Sequence, residues 1–196
     1  MDDAVPRRSL LAALPLALLA LAGCRSPEGY GPRSTMSDEE ASSACLDEVS
    51  RLIADSDADG LVAAFSEAAR EQDAGLSSSD AEELMDILGG GTLADGDFWS
   101  SSRVYPSGYN LVISTATVTA PDGTRWQVHV TDCTLNRDDP SKVGLRTVEV
   151  IPNSVLEAPR GFSWYGTDDD RWPTGIRLIR SWDGWDPHTS PYSPDW

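Results

Sequence analysis

The sequence contains few of the residues from which many active sites are built. Its 196 residues include two histidines, three cysteines and one lysine, Lys142. No group of histidines and cysteines has the spacing of a tetrahedral zinc site. His129 and Asp132 are three apart in a predicted strand, so their side chains point to opposite faces and do not form an acid–base pair. The sequence therefore shows no catalytic constellation, predicts no cofactor and favours a non-catalytic role.

Positive charge is scarce as well, and the formal net charge is −17 at pH 7. Residues 38–97 hold 17 acidic residues but only two basic ones, Arg51 and Arg70. A surface of this sign repels phosphate backbones, so nucleic acid is excluded as a partner. We interpret the acidic segment as a solvated face that keeps the protein soluble, because net charge bears on solubility more than on fold.

A hydrophobic run long enough to span a membrane is also missing. The apolar stretch Leu10–Ala22 has 13 residues, whereas a spanning helix needs about 20. It follows Arg7-Arg8 and ends in Leu21-Ala22-Gly23-Cys24, and small residues before a cysteine are typical of a bacterial lipoprotein signal. We expect residues 1–23 to be cleaved as a signal peptide. Cys24 then carries the lipid that attaches the protein to the outer face of the cytoplasmic membrane.

Two features of the signal stay open. An ordinary secretory signal that happens to contain a cysteine is the alternative to lipidation. The Arg7-Arg8 pair before the apolar run also fits a twin-arginine export signal, so the sequence does not choose between that export route and the general secretory route.

The mature chain divides into three segments. Residues 24–36 are rich in proline, glycine and serine and predict a flexible tether. Residues 37–180 have the length and apolar content of one domain. Residues 181–196 form a tail rich in tryptophan and proline.

The predicted order of elements in the domain is helices first and strands afterwards. Ser37 and Glu40 form a capping box at the start of the first helix. A second helix begins near Asp59 and has Leu61, Ala64, Phe65, Ala68 and Ala69 on one face. A third begins at Ser79 with a box to Glu82 and ends at Gly89–Gly91. The predicted strands cover Phe98–Tyr105, Tyr109–Ala120, the run from Trp126 to Cys133, Val143–Ile151 and the residues around Ile176–Ile179. In the third of them Trp126, Val128 and Val130 alternate and share one face, and His129 lies on the opposite face. This order predicts an α+β fold with helices on one face of a curved antiparallel sheet.

Cys45 and Cys133 remain after Cys24 is assigned to the lipid. Two cysteines in an exported protein usually pair, so we expect a disulfide between them. Cys45 lies on the apolar stripe of the first helix and Cys133 at the end of a strand, where a bridge would join helix to sheet. Two buried thiols are the alternative.

Asp55, Asp57 and Asp59 precede Gly60 in the pattern that opens a calcium-binding EF-hand loop. The twelfth loop position should hold a bidentate glutamate, but it is Ser66, with Glu67 one residue late. We therefore interpret the segment as a turn between helices with aspartate caps and predict no metal site. A calcium-dependent module that uses the three aspartates is the alternative.

Residues 160–196 hold five of the seven tryptophans. We expect Trp182 and Trp185 to cover the open end of the sheet, because large rings stabilise a fold by burying area. The alternative is an exposed aromatic surface that binds a glycan or a protein.

Several short motifs, taken in order, resemble a family of Gram-positive lipoproteins of unknown function. They are Asp59-Gly60-Leu61 with Ala64-Phe65-Ser66, Leu84-Met85-Asp86-Ile87-Leu88-Gly89, Asp138-Asp139-Pro140-Ser141-Lys142-Val143-Gly144-Leu145, and Gly175-Ile176. The resemblance covers residues 40–180 and implies a nuclear-transport-factor-2-like cone, in which a curved antiparallel sheet surrounds helices. It brings no catalytic residues.

The sequence thus predicts a lipid-anchored module that binds an unknown small ligand or an envelope protein without chemistry. A hydrolase or isomerase with an unidentified acid in the cone pocket remains the alternative.

Overall fold

The computed structural model describes residues 29–72, 76–89, 91, 93, 98–103, 108–155 and 174–181. Within these ranges the fold is α+β, as predicted, with four helices and five strands. The helices are α1 (Asp38–Ala54), α2 (Ala58–Ala64), α3 (Glu67–Gln72) and α4 (Ser78–Leu88). The strands are β1 (Phe98–Arg103), β2 (Tyr109–Thr119), β3 (Arg125–Asn136), β4 (Gly144–Pro152) and β5 (Gly175–Leu178). In this part of the chain, no helix has the length and apolar character needed to cross a membrane.

Capping boxes start two of the helices. The predicted box at α1 is confirmed, because the Glu40 amide donates to Ser37 Oγ and the Ser37 amide donates to Glu40 Oε2 at 2.9 Å. The box predicted for α4 is two residues too late. Ser77, not Ser79, precedes the helix, and its amide donates to Asp80 Oδ2 at 2.8 Å. Both pairs satisfy backbone donors that a helix start leaves without a partner.

The predicted second helix is divided at Phe65, whose backbone is extended (φ −68°, ψ 147°). Phe65 forms a parallel bridge with Leu145, and the Ser66 amide donates to the Leu145 carbonyl at 2.7 Å. Helical spacing alone did not reveal this break, because the extended residues are stabilised by a strand that lies about 80 residues later in the chain.

The strands form one open sheet in the order β1-β2-β3-β4-β5. The first three pairings are antiparallel, as predicted, whereas β5 pairs parallel to β4. The sheet is therefore mixed and not a purely antiparallel one. A parallel neighbour requires a crossover connection longer than a hairpin, and 22 residues separate β4 from β5.

The helices cover one face of the sheet and enclose the main apolar core. Val128 and Val130 face this core and Trp126 packs against it, which confirms the predicted alternation in β3. The hydroxyls of Ser42 on α1 and Ser114 on β2 are 2.7 Å apart and join the two layers. The largest side chains that fill the core are Phe65, Ile53, Leu61, Leu84, Leu88, Leu145, Val49, Val128 and Val130.

A polar row crosses the other face of the sheet. Thr115, His129, Glu149 and Arg177 are successive partners across β2, β3, β4 and β5. His129 and Glu149 are buried, and Arg177 Nε lies 4.0 Å from Glu149 Oε1. His129 therefore lies on the face opposite Val128 and Val130, as the sequence predicted.

Residues 29–33, here called the N-terminal clasp, lie alongside the end of β3. The Asn136 amide donates to the Gly29 carbonyl at 2.8 Å, and the Gly31 amide donates to the Thr134 carbonyl at 2.9 Å. The clasp occupies the place beside β3 that β4 leaves open, because β4 begins only at Gly144, opposite Cys133. The sequence assigned these residues to the flexible tether.

Candidate binding cleft

Two segments that carry the family resemblance meet at one cleft. Phe65-Ser66 crosses over the start of β4 and is bonded to Leu145, directly after the turn at residues 139–144. Gly144 has φ +121°, and a Cβ built there would lie 3.3 Å from the Ser66 amide nitrogen. A glycine at this position therefore permits both the backbone conformation and the close approach of the two segments.

The cleft has a volume of about 460 Å³, which is within the range of small-molecule sites. It is open on one side. Pro32 and Arg33 of the N-terminal clasp form one wall together with Glu48 of α1, and α3 with the 140–144 turn forms the other. Four separate parts of the chain thus build this surface, here called the Arg33 cleft.

Arg33 is held in a fixed orientation by two carboxylates. Its Nε and Nη2 donate to Asp132 Oδ2 and Oδ1 at 2.7 and 2.8 Å, and its Nη1 donates to Glu48 Oε2 at 2.7 Å. The fork toward Asp132 is the bidentate geometry that makes such pairs strong. The Asp132 side chain is 2 % exposed and the Glu48 side chain 42 % exposed. One end of the network is therefore buried, and the other reaches solvent in the cleft.

The same network affects the pKa of Arg33 itself and of the nearby Cys45 thiol. The hydrogen bond to Asp132 raises the pKa of Arg33 above its already high value, although burial acts in the opposite direction. Burial, followed by the negative charge of Asp132, raises the pKa of the Cys45 thiol far above its usual range. Because the thiolate is the reactive form of cysteine, Cys45 is not a nucleophile in this setting.

The rim of the cleft carries one charge of each sign. Glu67 and Arg70 are exposed and lie three residues apart, at the start and in the last turn of α3. Neither forms an ion pair with another residue that the structure describes. These two side chains can therefore bind the charges of a molecule that enters the cleft.

The hydroxyl groups of the cleft have structural partners. Ser66 Oγ accepts from the Ala69 amide at 3.2 Å at the start of α3, and Ser141 Oγ donates to Asp139 Oδ1 at 2.5 Å. No histidine or cysteine is among the residues that line the cleft. Asp139 Oδ1 also accepts from the Ser141 amide at 3.2 Å, and Asp139 Oδ2 lies 3.8 Å from Lys142 Nζ. The two hydroxyls and this carboxylate thus stabilise the backbone around the cleft.

No protein-family model, curated protein or solved structure matches this chain.

The three aspartates of the EF-hand-like pattern have separate partners. Asp57 Oδ1 accepts from the Gly60 amide at 2.9 Å and caps α2. Asp55 pairs with Arg51 at 3.2 Å, and Asp59 accepts a hydrogen bond from Ser78 at the start of α4. In the ranges that the structure covers, no three His, Cys, Asp or Glu side chains are grouped to hold a metal ion.

The disulfide expected between Cys45 and Cys133 is not present. Both residues are buried thiols. Cys45 belongs to the core beneath the helices, where Val130 of β3 also lies. Cys133 is three positions from Val130 and one from the inward-facing Asp132, so it lies on the other face of β3. Its Sγ donates to the Leu135 carbonyl at 3.4 Å. The apolar stripe of the first helix correctly predicted that Cys45 faces the core. A disulfide would also require Cys133 to face the helices, and it lies on the other face of the sheet.

Three of the predicted site residues, Cys24, Trp182 and Trp185, lie outside the described residues, so their assignments stay predictions. The sequence missed Arg33 and Glu48, because a tether and a solvated acidic helix face are not places where a site is expected. One signal was present. Asp132 occupies an inward-facing position near Val130, and a carboxylate in such a position requires a cationic or hydrogen-bonding partner.

Proposed function

We propose that this protein is a lipid-anchored binding protein on the outer face of the cytoplasmic membrane, and that it holds a small polar ligand in the Arg33 cleft without chemistry. The observation that carries the proposal is the cleft itself. It is open and has ionic walls, and both of its serine hydroxyls are engaged in local hydrogen bonds that stabilise the surrounding backbone. The core next to it is filled by side chains of α1, α2, α4 and the sheet.

The charges of the cleft indicate the kind of ligand. Arg33 uses three of its five N–H groups on Asp132 and Glu48. Glu48 accepts from Arg33 through Oε2, and its side chain is partly exposed in the cleft. Together with Glu67 and Arg70, the cleft offers donors and acceptors in similar number. A small molecule that carries both an ammonium group and an anionic group, such as an amino acid or a short peptide, fits this pattern better than a strongly charged anion.

We also propose a specific architecture for the α+β domain. Helices on one face of an open sheet support a nuclear-transport-factor-2-like cone. In such a cone the Arg33 cleft lies outside the apolar interior.

A binding screen tests the cleft. Thermal unfolding is recorded with panels of amino acids, dipeptides and monosaccharides. We expect a zwitterionic compound to raise the melting temperature of the native protein. Ala63→Trp places a large ring in the cleft and should abolish the shift. Ala54→Trp is the matched control, because Ala54 is exposed at the end of α1 and does not line the cleft. A shift that survives in Ala63→Trp would place the ligand elsewhere.

The anchor is tested separately. Cys24→Ser removes the thiol that accepts the lipid, so the variant should leave the membrane fraction or stay unprocessed. Normal processing together with detergent-phase partitioning of the variant would contradict the anchor and leave the binding proposal unaffected.

A further inference from the structure

The N-terminal clasp fixes the point at which the chain leaves the folded domain. Gly29 is bonded to Asn136 and Gly31 to Thr134, in antiparallel pairing with the end of β3. At the other end of the clasp, Arg33 binds Asp132 of β3. The exit point therefore lies at the end of the sheet where β3 finishes and β2 begins.

The distance from this exit point to Cys24 is short. Cys24 and Gly29 are five positions apart, with four residues between them, and five fully extended residues span at most about 18 Å. β3 has 12 residues, which corresponds to a length of about 40 Å. A lipid on Cys24 can therefore lie beside the Gly29 end of the sheet, but it cannot reach the turn between β2 and β3 at the opposite end.

We propose that the end of the sheet formed by Gly29, Tyr30, Gly108 and Arg137 is apposed to the membrane, and that its partner is the headgroup layer of the bilayer that holds the lipid. The proposal depends on the lipid anchor proposed above. It goes further by assigning a fixed orientation to the domain and a membrane-contacting surface at Tyr30 and Arg137, the two of these residues whose side chains reach solvent.

The residues at this end suit a bilayer interface. The Arg137 guanidinium lies over the Tyr30 ring at 5.2 Å from its centroid and also donates to the Tyr30 hydroxyl. Tyrosine has an apolar ring and a polar tip, and it is enriched at headgroup depth. Asp38 and Asp138 lie nearby, since Asp38 accepts from Asn110 at the start of β2. The surface thus has mixed charge, so the short link sets the orientation and attraction to anionic lipids does not.

The orientation also places the Arg33 cleft on the membrane side of the domain. Asp132, which holds Arg33, is four residues before the end of β3, or about 13 Å along the strand. The Arg33 cleft therefore lies in the half of β3 that is nearer to the bilayer.

Two single-cysteine labels at opposite ends of β3 test the proposal. Asp138→Cys and Arg125→Cys are both exposed positions, and the native thiols Cys45 and Cys133 are buried. The full lipidated protein is reconstituted in vesicles of zwitterionic phospholipid that contain a headgroup quencher. We expect loss of emission from the label at 138 and unchanged emission from the label at 125, with the same result after anionic lipid is added.

A second variant separates the effect of the link from that of the surface. A long Gly-Ser segment inserted between residues 28 and 29 keeps the anchor and releases the domain, so the difference between the labels should disappear. Equal quenching of the two labels in the protein with its native link, or stronger quenching at 125, would overturn the orientation. Failure of the protein to stay with the vesicles would overturn the anchor as well, and flotation distinguishes that outcome from the others.

Discussion

Arg33 and Asp132 form a bidentate ion pair although they are 99 positions apart in the chain. The pair joins the N-terminal clasp to the middle strand of the sheet. Because Arg33 also contacts Glu48 in the open cleft, one side chain connects the clasp, the sheet and the candidate binding surface.

Removal of this cation should be strongly destabilising. Arg33→Ala leaves the buried Asp132 carboxylate without its partner, and we expect a loss of about 3–5 kcal/mol in the free energy of unfolding. Arg51→Ala is the matched control. It removes an exposed pair with Asp55 and should cost less than about 0.5 kcal/mol. Denaturant unfolding measures both, and similar losses in the two variants would contradict a special role for Arg33.

A double variant adds a second check. Arg33→Leu together with Asp132→Leu removes both charges, and we expect it to be more stable than Arg33→Ala, because the cost of the single change comes from the uncompensated charge.

His129 should make stability depend on pH. Burial lowers the pKa of His129 from 6.5 to about 4 in the folded state. The unfolded chain therefore binds the proton more tightly, so the stabilisation is complete above pH 6.5 and is lost as pH falls toward 4. Between pH 8 and pH 5 the loss from this group is about 2 kcal/mol.

Unfolding of the native protein and of His129→Gln across this pH range measures the effect. The free energy of unfolding of the variant should change less with pH above pH 5, where most carboxylates are still ionised in both the folded and the unfolded state. If the free energies of unfolding of the two proteins changed equally with pH, His129 would not be the source of the pH dependence.

Asp57 should act as a helix cap and not as a calcium ligand. Asp57→Ala removes the acceptor for the Gly60 amide and should cost about 1 kcal/mol. Asp57→Asn keeps a capping oxygen and should remain close to the native stability. Millimolar calcium should not change the melting temperature beyond the effect of ionic strength. A calcium-specific increase that both variants abolish would establish a metal site at this loop.

The two buried cysteines should be unreactive while the protein is folded. The high pKa of the Cys45 thiol and the burial of Cys133 both suppress thiolate chemistry. We expect an alkylating reagent to modify both residues after denaturation without reductant, and neither before it. Non-reduced peptide mapping that joins residue 45 to residue 133 would support the disulfide expected from the sequence and contradict the structure.

Local pattern predicted much of the fold. The capping box located the start of α1, and apolar spacing located α4 although its capping residue is Ser77 and not Ser79. Alternation in β3 assigned Val128, Val130 and His129 to the correct faces. These features depend on neighbours within a few residues. The errors arose where distant contacts decide the conformation, as at Phe65, which is extended because it bridges to Leu145, and at β5, which runs parallel to β4.

The sequence by itself determined the acidic character and the order of helices before strands, because each depends on composition or short spacing, and it predicts the export and lipidation signal. Only the tertiary structure brought Arg33, Glu48, the Phe65-Ser66 segment and the turn before Gly144 to one cleft. The physical reason is that ion pairs and strand bridges between residues far apart in the chain depend on side-chain geometry in three dimensions, which no local period encodes.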